Sequence, residues 1–325
     1  MKLPRRKLLH LATGFAALPV LSRLASAQSY PSRPVRIVAA FAAGGGVDIT
    51  ARLIGQWLSD RLGQSFVVEN RPGAGGNIGT EGVVNAPPDG YTLLLATLPN
   101  AVNATLYEKL NFNFIRDIAP VAGIIRVVMV ILVHPSVPAK SVPELIAYAK
   151  ANPGKINMGS GGNGSSGHMA GELFKLMTGV NLVHIPYRGQ GPAMNDLLGG
   201  QLQVIFATTP GTTEYVQIGK LRALAVTTRA RAEALPEVPT VADFVPGYES
   251  SQWYGVVAPK NTPVEIVEKL TKEINAALAD PKMKARFADL GGTVLPGSPA
   301  DFGKLIAYET EKWGKVVKFA GLKAD

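Results

Sequence analysis

Apolar positions along this chain fall into two alternating kinds of run: short continuous stretches, and longer ones spaced by three and four. Residues 35–41 form a strand-length apolar run. Beyond the glycine-rich Phe41-Ala-Ala-Gly-Gly-Gly-Val-Asp48, the residues Val47, Ala51, Ile54, Leu58 and Leu62 recur at helical spacing and stop at Gly63. A strand restarts at 66–68, a second glycine-rich loop covers 70–79, and Pro87-Pro-Asp-Gly90 turns the chain into a strand at 91–97. This βαβαβ order predicts a parallel sheet with helices on both faces.

The pattern then repeats. Helices are expected at 143–151, 166–178, 193–198 and 212–219, with strands at 156–159, 182–186, 204–207 and 221–226. After a proline-rich stretch at 235–248 come a strand at 253–257 and helices at 263–278, 282–290 and 299–319. Strands 126–133 and 253–257 lie at the joins between the two series, where they serve as the two crossings of a hinge. The expectation is an α/β clamshell of the type II-like periplasmic binding protein kind, with two hinge strands. Its first domain is 28–125 plus 252–325 and its second is 126–251. Ligands of open parallel sheets bind beyond the carboxyl ends of the strands, which places the binding site between the two domains.

The first residues set the compartment. Residues 1–27 have a basic start (Lys2, Arg5, Arg6, Lys7), an apolar stretch from 8 to 21 and Ala25-Ser-Ala27, the pattern of a signal peptide. Arg5-Arg6-Lys7-Leu8-Leu9 loosely resembles a twin-arginine signal, so the route of export is open. The leader carries five of the 33 Lys and Arg and none of the 24 Asp and Glu, so its removal lowers the net charge from +9 to about +4. No basic run interleaved with aromatics follows, which argues against nucleic acid. With no cysteine in an exported chain, there is no disulfide framework and no thiolate metal site.

The candidate chemistry sits in two glycine loops, Phe41 to Asp48 and Gly159-Ser-Gly-Gly-Asn-Gly-Ser-Ser-Gly-His168, each between a strand and a helix. A helix N-terminus offers unpaired N–H groups and partial positive charge, and glycine lets a ligand approach them, so the pair reads as two half-sites for one anion. The enzyme alternatives are specific. Gly159-Ser-Gly161-Gly-Asn-Gly164 matches the dinucleotide fingerprint, yet the next strand ends at Pro186-Tyr187-Arg188 with no acidic residue for a ribose; Arg188 would suit the 2′-phosphate of NADP. A hydrolase would use Ser165 or Ser166, but Gly164-Ser-Ser166-Gly-His168 misses the nucleophile-elbow pattern by one residue. His168, in a first helical turn, reads more simply as packing or capping than as a ligand contact. No paired-histidine or calcium-loop pattern is present, so neither metal nor cofactor is expected.

Several motifs together resemble one family: Phe41 to Asp48, Glu69-Asn-Arg-Pro-Gly-Ala-Gly-Gly-Asn77, Pro88-Asp-Gly-Tyr91, Ala149-Lys-Ala-Asn-Pro-Gly154, Pro186-Tyr-Arg-Gly189, Leu235-Pro-Glu-Val-Pro-Thr240 and Trp253-Tyr-Gly255. They are similar, in order, to the Bug family, the extracytoplasmic solute receptors of tripartite tricarboxylate transporters. The resemblance implies a monomeric periplasmic receptor that closes on a small carboxylate and delivers it to membrane permease subunits, rather than an enzyme. A ligand sensor for a membrane kinase would look the same in sequence. On this resemblance the site residues are Phe41, Ala43, Gly44, Gly45, Gly46 and Asp48 from the first loop, and Ser160, Gly161, Gly164, Ser165 and Ser166 from the second. Tyr187 and Arg188 join them from the Pro-Tyr-Arg-Gly motif, and Thr97 from its place at a strand end. Asp48 has a second reading, as a helix-dipole partner that holds its loop. Gln203 and Ala207 stand where the family commonly has acidic residues, which points to a ligand without an amine, an aliphatic or aromatic carboxylate.

Overall fold

The computed structural model describes residues 30–209 and 212–324; the leader expected at 1–27 lies outside them. The chain runs through β1 (Val35–Ala39), α1 (Gly46–Leu62), β2 (Phe66–Asn70), α2 (Asn77–Val84), β3 (Thr92–Thr97), α3 (Leu98–Leu106), α4 (Phe114–Asp117) and β4 (Ile118–Val127). It continues with β5 (Met129–Val133), α5 (Val142–Ala151), β6 (Ile156–Ser160), α6 (Ser166–Thr178), β7 (Leu182–Pro186), α7 (Gln190–Leu198), β8 (Val204–Thr208), α8 (Thr213–Gln217) and β9 (Arg222–Val226). It closes with β10 (Gln252–Pro259), α9 (Val264–Ala279), α10 (Pro281–Asp289), β11 (Gly292–Val294) and α11 (Pro299–Phe319).

Two sheets result, ordered β11-β4-β10-β3-β1-β2 and β7-β6-β8-β5-β9. Each has three parallel strands, β1 to β3 and β6 to β8, as the alternation predicted. Each also takes in antiparallel strands, β10 beside β3 and β4, and β5 beside β8 and β9, so both sheets are mixed rather than parallel. The reason is geometric. A strand arriving from the other sheet enters at the carboxyl ends of the parallel strands, so it must run against them: Tyr254 opposes Thr97, and Met129 opposes Thr208.

The chain crosses between the sheets twice, as expected, but only the first crossing falls inside its expected strand; 253–257 lies wholly in the first sheet, just after the second crossing. The run 126–133 breaks at Val128, whose N–H donates to Gly291 O (3.2 Å) while its carbonyl accepts from Thr209 N–H (3.1 Å). The return crossing precedes β10, where Ser250 N–H donates to Thr227 O (2.9 Å) and Thr227 Oγ1 donates to Ser250 O (2.7 Å). Both crossings therefore sit at the carboxyl ends of the parallel strands, beside the cleft.

Three helices were not anticipated, the short α4 and the pair α2 and α3. The loop expected at 70–79 ends in α2, and α3 follows β3 directly. Their asparagines are poor helix formers but serve as ties. Asn100 Oδ1 accepts from Thr97 N–H (2.8 Å) and its amide donates to Thr80 (2.8 Å), while Asn103 donates to Gly75 O (2.9 Å) and Asn77 (3.0 Å). The long α11 packs on α3, β4 and α6, and so bridges the two halves with Trp313 fully buried. Close packing of α6 on β8 depends on Gly167, where a Cβ would lie 2.4 Å from the Phe206 carbonyl oxygen. Gly167→Ala is accordingly expected to cost roughly 1–3 kcal/mol by overpacking against backbone, read as a lower urea midpoint at unchanged slope. Among the described residues no helix is long and apolar enough to cross a membrane.

Candidate ligand-binding cleft

A cavity of about 370 Å³ opens between the two sheets at the strand ends. That volume lies within the usual range for small-molecule sites. Its wall is built on helix N-termini that converge from both halves: Gly45, Gly46 and Val47 of α1, Thr97 and Pro99 of α3, Ser165, Ser166 and Gly167 of α6, and Gly189 and Gln190 of α7. The N-caps of α1 and α7 are glycines without a side-chain hydrogen bond, so their first-turn N–H groups are left for a guest. The other two are partly satisfied, since Ser165 Oγ accepts from His168 N–H (3.4 Å) and Thr97 heads a capping box. Among the described residues no charged side chain lines the cavity. An anion there would meet backbone dipoles and hydroxyls, and hydrogen bonds to a charged group each contribute about 1.5–3 kcal/mol.

Phe41, Gly45, Gly46, Thr97 and Ser160 line the wall, as do Gly161, Gly164, Ser165 and Ser166, so most of both glycine loops is brought together. A Cβ at Gly46 would stand 2.6 Å from the Tyr254 hydroxyl, so any side chain there displaces that hydroxyl. Gly164 has a left-handed φ of 72° and faces Leu106.

The remaining expected residues lie outside the wall. Ala43 and Gly44 are exposed at the tip of the first loop. Asp48 is buried and turned into that loop, where it accepts from Gly44 N–H (2.9 Å), Arg52 Nε (3.1 Å) and Asn70 Nδ2 (3.0 Å). Burial raises its pKa, but these partners together outweigh it and hold the carboxyl below the usual carboxylate range. It is a brace for the loop, the second of its two readings. Tyr187 is half-buried and donates to Asp196 (2.6 Å), the carboxylate that pushes its hydroxyl up to about 12. Arg188 is exposed and is not part of the wall. Ala207 is buried in a cluster with Val130, Leu132 and Met194, and the wall takes Ile205, Phe206 and Thr208 from β8 but not Ala207.

Sequence reasoning missed Gln252 and Tyr254 at the head of β10, and Gln190 and Thr208. Gln190 Oε1 accepts from Thr208 N–H (2.9 Å) and Oγ1 (3.0 Å), which ties α7 to β8. Gln252 donates to Thr97 Oγ1, and its own Oε1 is buried without a partner at the cavity floor. Burial pushes the Tyr254 hydroxyl up to about 12, so it stays protonated beside them. Both floor residues adjoin Trp253-Tyr-Gly255, a stretch already singled out, and Gln190 follows Pro186-Tyr-Arg-Gly189.

Two mixed α/β sheets with a cleft between them, walled by uncapped helix N-termini, define a two-lobe solute-binding protein. The comparisons agree and go further. Residues 50–322 match the model of the tripartite tricarboxylate transporter family receptor. Protein BugT of Bordetella pertussis is 38% identical over 316 residues, covering 96% of this chain and 95% of its own. Among solved structures, R. palustris Rpa4515 with adipate has a TM-score of 0.81 at 38% identity, covering 90% of this chain and 99% of its own. The periplasmic binding protein BugD has 0.77 at 38%, with 90% and 99% covered. MatC from Rhodopseudomonas palustris with bound malate has 0.78 at 30%, with 89% and 100% covered. The chain belongs to the tripartite tricarboxylate transporter receptor family, the Bug proteins, and this is a family of solute receptors rather than of enzymes. The reductase and hydrolase readings of the second loop are thereby set aside.

Proposed function

We propose that this protein is a periplasmic receptor that captures a small carboxylate lacking an amine and delivers it to the permease subunits of a tripartite tricarboxylate transporter. The observation that carries this reading is the pair of uncapped helix N-termini, α1 and α7, that face one uncharged cavity from opposite sheets. The first lobe runs to Val127 and resumes at Gln252, and the second lies between them, two residues later at its start than the boundary expected at 125/126, because Arg126 and Val127 pair within the first sheet. A carboxylate touching both favours the closed form by its differential affinity for the two arrangements. Adipate and malate in the relatives support the ligand class. The lack of an amine is supported by the wall itself, which among the described residues holds no carboxylate to pair with an ammonium.

A thermal-shift screen of the chain from Gln28 onward tests this with adipate, malate, benzoate, aspartate and NADP. Stabilisation that grows with the concentration of one or more amine-free carboxylates is expected, by mass action on the folded state. Stabilisation by aspartate alone contradicts the ligand class, and by NADP alone contradicts the receptor reading.

A further inference from the structure

Behind the second glycine loop lies a stacked histidine pair, one buried and one half-buried, that the binding site does not itself use. The rings of His168, on α6, and His184, on β7, stack at 3.6 Å between centroids and 8° between planes. Each holds the cavity loop from behind. Gly164 N–H donates to His168 Nδ1 (3.1 Å), and His184 Nε2 is 2.6 Å from Ser160 Oγ, which in turn accepts from Gly162 N–H (3.1 Å). Ser160 and Gly164 are both cavity wall.

The contact with Gly164 fixes the state of the first ring. Because Nδ1 accepts a hydrogen bond it carries no proton, so a neutral His168 bears its hydrogen on Nε2, an atom that is buried without a hydrogen-bond partner and stands 3.6 Å from Glu172 Oε1. Glu172 is 2% exposed and its Oε1 receives Lys175 Nζ (2.8 Å). Burial raises the Glu172 carboxyl, but His168 and Lys175 outweigh it, so it is held below its ordinary range. The titratable groups that face the pair are thus Glu172 and Lys175 from α6, and each imidazole from the other's element. Burial, the largest cause, pushes His184 down to about 3, so that ring stays neutral.

We propose that His168 and His184 are positioning residues for the binding site: neutral His168, stacked on His184, holds Gly164 and hence the second glycine loop in its ligand-ready shape. Adding a proton to Nδ1 sets donor against donor, and Gly164 N–H must turn away, carrying residues 161–166 of the cavity wall with it. Glu172 waits beside the ring to receive the new charge. Acid therefore weakens ligand binding through this one contact. The inference rests on the proposed carboxylate function, but its first test needs no ligand.

That test is the nitrogen-detected NMR signature of His168 at about pH 7.5. The Nε2–H tautomer is expected, and an Nδ1–H tautomer overturns the proposal. The second is calorimetry with adipate and malate at about pH 8 and about pH 5.5. Asparagine places Oδ1 where Nδ1 stood and does not titrate, so His168→Asn is expected to keep the higher-pH affinity. It should also lose less on acidification than the wild type, by about 10-fold, the worth of one hydrogen bond. His168→Phe removes the acceptor and is expected to bind weakly at both values. A wild-type pH profile no steeper than that of His168→Asn overturns the proposal. Failure of both probes to bind wild type at the higher pH instead counts against the carboxylate reading, leaving the tautomer result to decide the histidine one.

Discussion

Gly45→Val is expected to weaken carboxylate binding by about 100-fold or more while leaving the melting temperature of the free protein unchanged, because two or more charge-assisted hydrogen bonds of about 1.5–3 kcal/mol each are lost. The asymmetry follows from where Gly45 stands. It is the N-cap of α1 with φ −83° and ψ 170°, extended backbone that valine adopts without strain. A Cβ there meets nothing nearer than Ala42 O at 3.7 Å, so the fold has room for it. The branched side chain instead occupies the cavity wall in front of the Gly46 and Val47 N–H groups. Isothermal calorimetry with adipate or malate reads the loss, and thermal melts without ligand read the fold. Unchanged affinity would remove the first loop from the site.

Gln252→Glu is the second large effect. Gln252 is 6% exposed at the cavity floor, bonded to Thr97 and next to Tyr254, with no cation in the wall around it. An ionised carboxylate placed there faces the bound anion across a few ångströms, and at an effective dielectric of about 20 the repulsion is roughly 3–4 kcal/mol. A loss of at least about 100-fold is expected at pH 8. Burial raises the pKa of a carboxyl, so the new Glu takes up a proton as the pH falls, and affinity should recover in part toward about pH 5. Gln252→Met, which adds no charge, is expected to lose much less. A loss for Gln252→Glu that matches the Met variant and is flat in pH would mean that the floor does not approach the ligand's charge.

How much of this was legible in the sequence depends on what each residue had to reveal. Elements bounded by glycine, proline and a capping serine were readable to the residue: α6 begins after Ser165, and α11 runs between Ser298 and Ala320. The helices α2 and α3 were hidden because Asn77, Asn100 and Asn103 suggest a loop, and only their ties to Thr80 and Gly75 explain them as helix. The antiparallel members of each sheet were hidden because strand direction is set by which end the chain enters, and no local pattern encodes that.

The site divides in the same way. Glycine loops announce themselves by composition, and both do line the cavity. Gln252, Tyr254 and Gln190 reach the cavity only because the strand after a crossing and a helix start are brought there by the packing of one sheet against the other. Tyr187 and Arg188 show the reverse: a motif that catches the eye, whose tyrosine is spent on Asp196 and whose next glycine, Gly189, is the part that reaches the wall. Ala207 lies among the β8 residues that reach the wall, Ile205, Phe206 and Thr208, but its short side chain is packed in the apolar cluster with Val130 and Leu132.

The central claim is that one carboxylate is held by the amide ends of α1 and α7, from opposite lobes. Titration of the labelled protein with adipate or malate, followed by amide NMR shifts, tests it most directly. Gly46, Val47 and Gln190 amide protons are expected to move downfield together and to saturate at the same ligand concentration. Movement confined to one lobe, or saturation with all three unmoved, would contradict it.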